Sequence, residues 1–417
     1  MKTGMYGLPV EVKFCKMCVM SNQRPASTSE FKHNIDTKKT TLHIGEDGIC
    51  DACKVALKKE EINWAKREEE LLSLLDKYRK NDGSYDCLVP GSGGKDSVYA
   101  AHILKTKYGM HPLTVTWPPI MYTEYGYENF KNWINIGGFD NISLNRIGKV
   151  MKLLTKLSIE NLFHPFQTFI LGQKNLAPKI ASKFGIELVF YGENEAEYGN
   201  PQGEFSNALR DTKYFTRDSL DDIYLAGITV NKLIADYGLE LVDLEPFLPI
   251  DANELIAKNI QVHYLGYYLR WLPQEAYYYA VKHTKFKPRP FRTQGTYSKY
   301  NSIDDKIDDL HYYTTYIKFG IGRATYDASQ EIRNNHLTRE EGVALVAKFD
   351  GEFPDKYFDE IMEYLEIDKD YFKNELTNSF RPTHLWTLTN QGYKLNYKVD
   401  GTGYLESEEV ERTKHED

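Results

Sequence analysis

The sequence has no long hydrophobic run and no excess of positive charge. No apolar stretch reaches the ~20 residues that a membrane-spanning helix needs, and residues 1–14 contain no apolar segment followed by a small-residue cleavage site. The formal net charge is -8, whereas a general nucleic-acid-binding protein usually carries a basic domain. We therefore expect a cytoplasmic protein that makes no membrane contact and for which nucleic acid is not the main partner.

Cysteine is scarce, with five in 417 residues, which is too few for a disulfide framework. Four of them form two C-x-x-C pairs, Cys15 with Cys18 and Cys50 with Cys53, whereas Cys87 lies in an apolar strand pattern typical of a core residue. Two such pairs can close a tetrahedral thiolate site around Zn²⁺, and the metal then supplies folding energy to a short segment. Another metal or a redox dithiol stays open, although no resolving cysteine lies nearby.

Strand and helix patterns alternate between residues 85 and 192, which indicates an α/β fold with a doubly wound, mostly parallel sheet and helices on both faces. A further aromatic strand candidate covers residues 261–269. The expected strands and helices are, in order, a strand at 85–90, a helix at 96–108, a strand at 111–117, a helix near 124–135, a strand at 141–147, two helices between 148 and 184, and a strand at 186–192.

The chain is long enough for several regions, and changes in pattern suggest their limits. The region before the sheet includes an amphipathic helix with Ile62, Ala65, Leu72 and Leu75 at helical spacing. The predicted regions are a zinc-binding module at 1–57, a linker helix at 58–82, a nucleotide-binding α/β domain at 83–271, a helical C-terminal region at 272–400 and a charged tail at 401–417.

The segment "PGSGGKDS" at residues 90–97 places a glycine-rich turn between a strand and a helix. In that arrangement backbone N–H groups converge on an anion at the helix N-terminus, and Lys95 adds positive charge, so we expect a phosphate site. Two common phosphate patterns do not fit. The pattern G-x-x-x-x-G-K-[ST] requires glycine at Val89, and the pattern G-x-G-x-x-G requires glycine at Asp96.

The six residues "SGGKDS" resemble the PP-loop of the ATP pyrophosphatase superfamily, which has an adenine nucleotide alpha hydrolase-like fold. The resemblance implies that ATP is cleaved between its α and β phosphates with the help of Mg²⁺, and that Lys95 and Asp96 take part in catalysis. It also implies the phosphate-binding residues, which are Ser92, Gly93, Gly94, Lys95, Asp96 and Ser97.

Residues that directly follow the predicted strands should lie at the ligand-binding edge of the sheet. Trp117 follows the second strand, and Glu193, Asn194 and Glu197 follow the strand at 186–192. These acidic and amide groups could hold magnesium, bind hydroxyl groups or orient an amine. The alternative is an acidic loop that caps a following helix.

Several motifs together, including the cysteine pairs, "GSGGKDS", "YGENEAEYG", "YLGYYLRWLPQEAYYYA" and "KFGIGRATYDASQEIRNNHLTREEG", resemble the N-acetyl sugar amidotransferases of bacterial O-antigen and flagellin glycan synthesis. The resemblance implies that ATP activates the acetamido oxygen of an N-acetyl amino sugar or nucleotide sugar. Ammonia from separate glutaminase and cyclase-like subunits then displaces AMP and leaves an acetamidino group. Arg323, in the last motif, is expected to contact the cofactor.

Two other functions stay open at this point. A tRNA-modifying PP-loop enzyme, such as a thiolase, would use the basic stretch at 282–292, although the acidic net charge argues against it. An inactive PP-loop protein could instead serve as a scaffold in glycan assembly. Arg323, Asp327 and Glu331 stand four residues apart, which suits either a functional helix face or a surface salt-bridge ladder.

Overall fold

Short apolar segments form the β-strands of the computed structural model, which describes residues 2–27, 29–200 and 202–401. The strands are β1 (Cys87–Pro90), β2 (Pro112–Thr116), β3 (Asn141–Ser143), β4 (Leu188–Tyr191), β5 (Thr216–Arg217), β6 (Tyr224–Leu225), β7 (Ile228–Thr229), β8 (Ile250–Asp251), β9 (Gln261–Tyr264), β10 (Trp386–Thr389) and β11 (Gly392–Leu395).

The helices before β9 are α1 (Asp51–Glu60), α2 (Trp64–Tyr78), α3 (Lys95–Thr106), α4 (Glu124–Asn135), α5 (Gly148–Leu162), α6 (Gln167–Phe184), α7 (Val230–Tyr237), α8 (Leu241–Leu244) and α9 (Ala252–Ala257). Those after β9 are α10 (Leu265–Tyr268), α11 (Pro273–Thr284), α12 (Asp308–Phe319), α13 (Arg323–Arg333), α14 (Arg339–Phe349), α15 (Asp355–Leu365) and α16 (Thr377–Ser379). Among these described residues, no helix has the length and hydropathy needed to cross a membrane.

The central sheet has five parallel strands in the order β3-β2-β1-β4-β9. Its order reverses between β1 and β4, so the chain segments that leave these two strands diverge and open a crevice at the carboxyl edge of the sheet. The predicted α/β fold with a parallel sheet is confirmed. The same topology brings the glycine-rich turn after β1 next to the acidic loop after β4.

Both faces of the sheet are covered, because successive side chains along each strand point to opposite faces. Cys87 and Val89 of β1 pack in a core with α2 and α3, whereas Leu88 packs in a second core with α5 and α6. Cys87 is fully buried, as its apolar surroundings in the sequence predicted.

The predicted continuous helix over residues 58–82 is wrong, because two helices occupy this part of the chain. Helix α1 ends at Glu60 and α2 begins after Asn63, whose side chain accepts a hydrogen bond from the Lys66 backbone N–H at 3.1 Å. This N-cap provides an acceptor for a backbone N–H group in the first turn of α2 and so favours a new helix that begins there. The buried face also differs from the prediction, since Leu71 is buried and Leu72 is 42% exposed.

The N-terminal region and the C-terminal helices share one hydrophobic core. Cys15 and Leu8 pack in the same cluster as Ile317, Met362 and Phe372. The C-terminal region is mainly helical, as predicted, but it also contains an antiparallel hairpin of β10 and β11 that the sequence patterns did not indicate. Residues 402–417, most of the predicted charged tail, lie outside the described residues.

Gly172 of α6 packs so closely against Trp117, the first residue after β2, that only glycine fits at this position. An added Cβ at Gly172 would lie 2.0 Å from ring atoms of Trp117. We expect Gly172→Ala to lower the free energy of unfolding by about 1–3 kcal/mol, the usual cost of overpacking. Urea unfolding measures this change.

Gly148→Ala is the matched control, because Gly148 begins α5 and an added Cβ there would meet no atom within 4 Å. That variant should be neutral or slightly more stable, since alanine favours helix. Equal unfolding free energies for the two variants would contradict the proposed contact.

Candidate active site

A cavity of about 630 Å³ opens where β1, β2 and β4 end, between the sheet, the N-terminal region and helices α12 and α13. Its volume lies in the range of small-molecule sites in proteins. Eight of the sequence-predicted site residues line it, namely Ser92, Gly93, Gly94, Lys95, Asp96, Trp117, Glu193 and Arg323. Ser97, Asn194 and Glu197 do not line it.

The turn at 91–94 is tight, and at two of its positions the neighbouring atoms leave no room for a side chain. Gly93 has φ +87°, and an added Cβ there would lie 2.7 Å from the Asn129 carbonyl oxygen. An added Cβ at Gly91 would lie 2.1 Å from Cβ of Ser97, which itself donates to the Gly94 carbonyl at 2.9 Å. Ser97 therefore supports the turn from behind.

Helix α3 begins at Lys95, directly after this turn. Within the described part of the chain, the backbone N–H groups of residues 92–97 donate no hydrogen bond to the protein. Free N–H groups and the positive end of the helix dipole make such a turn a binding site for phosphate oxygens.

Lys95 and Asp96 lie at the base of the cavity and face each other. Lys95 is 8% exposed, and its Nζ lies 2.5 Å from Oδ2 of Asp96. The other carboxylate oxygen of Asp96 is buried without a hydrogen-bond partner. This free oxygen is available to a cation or to a donor of a bound ligand.

A second acidic segment reaches the same turn from the C-terminal region. Ser92 donates a hydrogen bond from Oγ to Oδ2 of Asp304 at 2.7 Å. Asp305 accepts backbone N–H bonds from Ile120 at 2.5 Å and Met121 at 3.2 Å, and burial raises its pKa to about 7. Burial and the neighbouring carboxylates also raise the pKa of Asp308. The acidic residues at 304, 305 and 308 were not among the predicted site residues, because nothing in the sequence around them indicates that they lie beside the turn at residue 92.

Among the described residues, no three of these carboxylates lie together as a metal cluster. Mg²⁺ usually binds one or two carboxylates and completes its shell with water and substrate phosphates. Asp96, which has a free oxygen, and Asp304, which touches the turn, are the groups that fit such a shell.

Glu193 is the member of the acidic loop after β4 that lines the cavity. Burial, with a smaller contribution from Asp96, raises its pKa to about 8, while the charge of Lys95 opposes the shift. The side chain of Asn194 accepts the Ala196 backbone N–H at 2.9 Å and caps a short helix. Glu197 forms an ion pair with Lys59 at 2.7 Å. These two side chains hold the loop that presents Glu193.

Trp117 and Arg323 lie on different walls of the cavity. The guanidinium of Arg146 stacks 4.5 Å from the Trp117 ring, which fixes the indole at the end of β2. Nε of Arg323 lies 2.9 Å from Oδ1 of Asp327. Asp327 is 3% exposed and also accepts a hydrogen bond from Thr296 at 2.6 Å. The pair is therefore a buried bridge and not a surface ladder.

The four paired cysteines converge as the sequence predicted. Their sulfur atoms all lie within 4.8 Å of one another, and Sγ–Sγ distances are 3.8 Å for Cys15 with Cys53 and for Cys18 with Cys50. A tetrahedron with Zn–S bonds of about 2.3 Å has edges of about 3.8 Å, so the cluster fits Zn²⁺. The Cys50 backbone N–H also donates to Cys15 Sγ at 3.3 Å.

Phe286 of the basic stretch at 282–292 lines the cavity, but none of the five lysines and arginines of that stretch does. Three of its five cations face carboxylates, since Lys287 pairs with Glu128, Arg289 lies 3.7 Å from Asp309, and Arg292 lies 2.6 Å from Glu352. These pairs remove most of the free positive charge that binding to an RNA backbone would use.

Comparison with known proteins finds a family similarity for the C-terminal wall of the cavity. Residues 294–399 match the family described as LPS biosynthesis protein WbpG-like, C-terminal domain. This matched segment includes Asp304, Asp308 and Arg323. The C-terminal region therefore resembles a family of lipopolysaccharide biosynthesis.

The chain is also similar to one curated protein and to one solved structure. An uncharacterised protein of Methanocaldococcus jannaschii is 34% identical over 114 residues, which are 27% of this chain and 40% of that protein. The match thus spans less than half of the relative. The solved structure of NMN synthetase from Francisella tularensis has a TM-score of 0.25 and 14% identity, covering 52% of this chain and 84% of that chain. The fold assignment depends on the sheet itself and not on this likeness.

Glu193→Gln should make the ligand-free protein progressively more stable than wild type as the pH rises from about 4.5 to about 8. Folded Glu193 keeps its proton to a higher pH than unfolded Glu193, so the wild type loses stability through this window, whereas glutamine does not titrate. Urea unfolding of both proteins at several pH values tests this. A stability difference that stays constant with pH would show that Glu193 is not shifted.

Proposed function

We propose that the protein is an ATP-dependent amidotransferase that converts the acetamido group of a sugar into an acetamidino group. The observation that carries the proposal is a single cavity. It joins the glycine-rich turn with its free N–H groups, the carboxyl group of Glu193 and a wall similar to a lipopolysaccharide-biosynthesis family.

In the first step the acetamido oxygen attacks the α-phosphorus of ATP and pyrophosphate leaves. The free N–H groups of residues 92–97 and the ammonium group of Lys95 would stabilise the charge of the departing pyrophosphate. Mg²⁺, held by Asp96 and Asp304, would neutralise further phosphate charge. Trp117 and Arg323 lie where they can position the nucleotide within the cavity.

In the second step ammonia attacks the activated carbon. A carbon–nitrogen bond forms, the new nitrogen gives up one proton, and the carbon–oxygen bond to AMP breaks, which leaves a positively charged amidine. Glu193 is our candidate for the proton acceptor, because a carboxylate with a pKa of about 8 is a stronger base than an exposed one. Asn194 and Glu197 act by holding its loop.

We infer that the ammonia comes from separate glutaminase and cyclase-like subunits and that the four cysteines hold Zn²⁺ in a structural role. The metal would fix residues 15–24, and Met20 and Arg24 from this segment line the cavity. The reaction would take place in the cytoplasm, where ATP and sugar precursors are available.

Lys95→Ala should reduce sugar-dependent AMP formation at least about 100-fold, because a preorganised charge at the leaving phosphate is lost. The assay combines the protein with ATP, Mg²⁺, ammonium and an N-acetyl amino sugar and measures AMP and product mass. Lys107→Ala is the control, since Lys107 follows α3 on the surface, where 52% of its side chain is exposed.

The same assay separates the alternatives. AMP formation that depends on tRNA and not on the sugar would support a tRNA-modifying enzyme. The absence of AMP formation with either acceptor would leave only a scaffold function. Turnover by Lys95→Ala at the wild-type rate would remove the turn from the mechanism.

Cys50→Ser should lower the zinc content and the thermal unfolding temperature together, because the cysteines pack in the core that the C-terminal helices share. Cys87→Ser is the matched control, since Cys87 is also fully buried but lies in the sheet. It should lower stability while metal analysis finds the same zinc content. Wild-type stability that does not change when zinc is removed would contradict the structural role.

A further inference from the structure

Helix α12 presents a polar face to the cavity. Four of its residues line the cavity, and they stand at positions i, i+3, i+4 and i+7, which share one face of a helix. They are Asp308, His311, Tyr312 and Thr315. Asp308 is the first residue of the helix and is half-buried. It is the carboxylate of this face, and neither of the two proposed reaction steps uses it.

The other carboxylates on the C-terminal wall of the cavity accept hydrogen bonds from the protein. Asp304 accepts one from Ser92 at 2.7 Å. Asp305 accepts three from backbone N–H groups, and Asp327 accepts two from side chains. Within the described part of the chain, no group donates a hydrogen bond to the side chain of Asp308. Its oxygens are therefore available to a donor of a bound ligand.

Negative charge predominates around Asp308. Burial, followed by the carboxylates of Asp304 and Asp305, raises its pKa, while the positive charge of Arg323 opposes the shift. Arg323 is itself paired with Asp327 at 2.9 Å, so its charge is already compensated. A ligand group beside Asp308 is therefore favoured when it donates a hydrogen bond or a proton.

Magnesium on the phosphates accounts for Asp96 and Asp304 but not for Asp308. Asp304 touches the glycine-rich turn through Ser92, and Asp96 lies in the first turn of α3, directly after it. Among the described residues, no three carboxylates lie close enough together to hold a metal ion. A group of the acceptor is therefore the better partner for Asp308 than a further ligand of the metal.

The acetamido group of the acceptor carries a donor of the required kind. Its nitrogen holds one proton and is bonded to the same carbon as the attacking oxygen. When that oxygen bonds to phosphorus, the carbon–nitrogen bond becomes a double bond and the proton on nitrogen becomes strongly acidic. A carboxylate that takes this proton makes the oxygen a better nucleophile, and a raised pKa makes the carboxylate a better base.

We propose that Asp308 is the catalytic base of the first step and takes the proton of the acetamido nitrogen as the acetamido oxygen attacks ATP. This inference rests on the proposed function. The oxygen–phosphorus bond forms, pyrophosphate leaves and the proton moves to Asp308, which gives a neutral adenylated imidate.

The second step then uses two carboxyl groups. Ammonia adds to the imidate carbon, Asp308 returns its proton to the sugar nitrogen, and Glu193 takes one proton from the new nitrogen. The carbon–oxygen bond breaks and AMP leaves, so the amidine carries one positive charge and Asp308 is again ionised. Asp308 and Glu193 thus serve different nitrogen atoms.

The test isolates the first step by exchange of labelled pyrophosphate into ATP, measured without ammonium. Full-length protein is given ATP, Mg²⁺ and either N-acetylglucosamine or UDP-N-acetylglucosamine. Wild type should exchange label only when a sugar is present. Asp308→Asn should lower this exchange at least about 100-fold, the usual contribution of a general base, and Asp308→Glu should restore part of it. Asp308→Asn should bind α,β-methylene-ATP as tightly as wild type does.

Two further variants give the comparison. Glu193→Gln should reduce acetamidino product, measured by mass after ammonium is added, far more than it reduces exchange, because Glu193 acts on the incoming nitrogen. Asp236→Asn removes an exposed carboxylate of α7 that lies outside the cavity, and it should exchange label as wild type does.

Three results would overturn the proposal. The first is exchange by Asp308→Asn within about threefold of wild type. The second is a loss of exchange that excess Mg²⁺ restores or that accompanies an equal loss of ATP-analogue binding, which would assign Asp308 to the metal. In both cases wild type still exchanges label, so the proposed function survives. The third is wild type without sugar-dependent exchange, which would reject the proposed function and the role of Asp308 together.

Discussion

The cavity depends on three chain segments that pack so closely that their backbones are in contact. The turn after β1 packs against α4, where an added Cβ at Gly93 would lie 2.7 Å from the Asn129 carbonyl oxygen. Helix α4 packs in turn against the C-terminal segment, where an added Cβ at Gly126 would lie 2.4 Å from Cα of Asp304. The hydrogen bond from Ser92 to Asp304 connects the turn directly to the C-terminal segment. Glycine is therefore required at these places by tertiary contact as well as by turn geometry.

Positive and negative groups lie on opposite sides of this cavity. The turn and the start of α3 offer free N–H groups and Lys95, while Asp304, Asp305 and Asp308 face them from the C-terminal region. Burial is the main reason for the raised pKa values of Asp305 and Asp308, and repulsion between the neighbouring carboxyl groups adds to it when no cation is present. A bound nucleotide with its magnesium ion would supply charges of both signs and relieve this repulsion, so the ligand-free site is the less stable state.

The parts of the molecule that sequence predicted are those in which the signal is local. The strand, turn and helix around residue 92 all lie between residues 87 and 106, and each C-x-x-C pair fixes two ligands on one turn. The sheet order then brought Glu193 to the turn, because residues after neighbouring parallel strands share an edge. Capping by Asn63 was overlooked, because the apolar spacing on either side of it continues without a break.

The parts that sequence did not predict are made by distant residues. Asp304 is 212 positions from Ser92, and Met20 and Arg323 line one cavity because the N-terminal and C-terminal regions share a core. Arg323 and Asp327 were recognised as one helix face, but their burial depends on Thr296 and on the packing of α12. A spacing pattern cannot report burial of this kind, because it contains no information about which segment covers the helix.

The position of the cysteine cluster links metal binding to the chemistry of the cavity. The side chain of Arg339 donates to the carbonyl groups of Cys15 and Cys18, which ties α14 to the first cysteine pair. Met20 follows that pair and lines the cavity, so the cluster and the cavity wall belong to one continuous segment. A metal bound by the four cysteines would therefore stabilise this wall of the cavity.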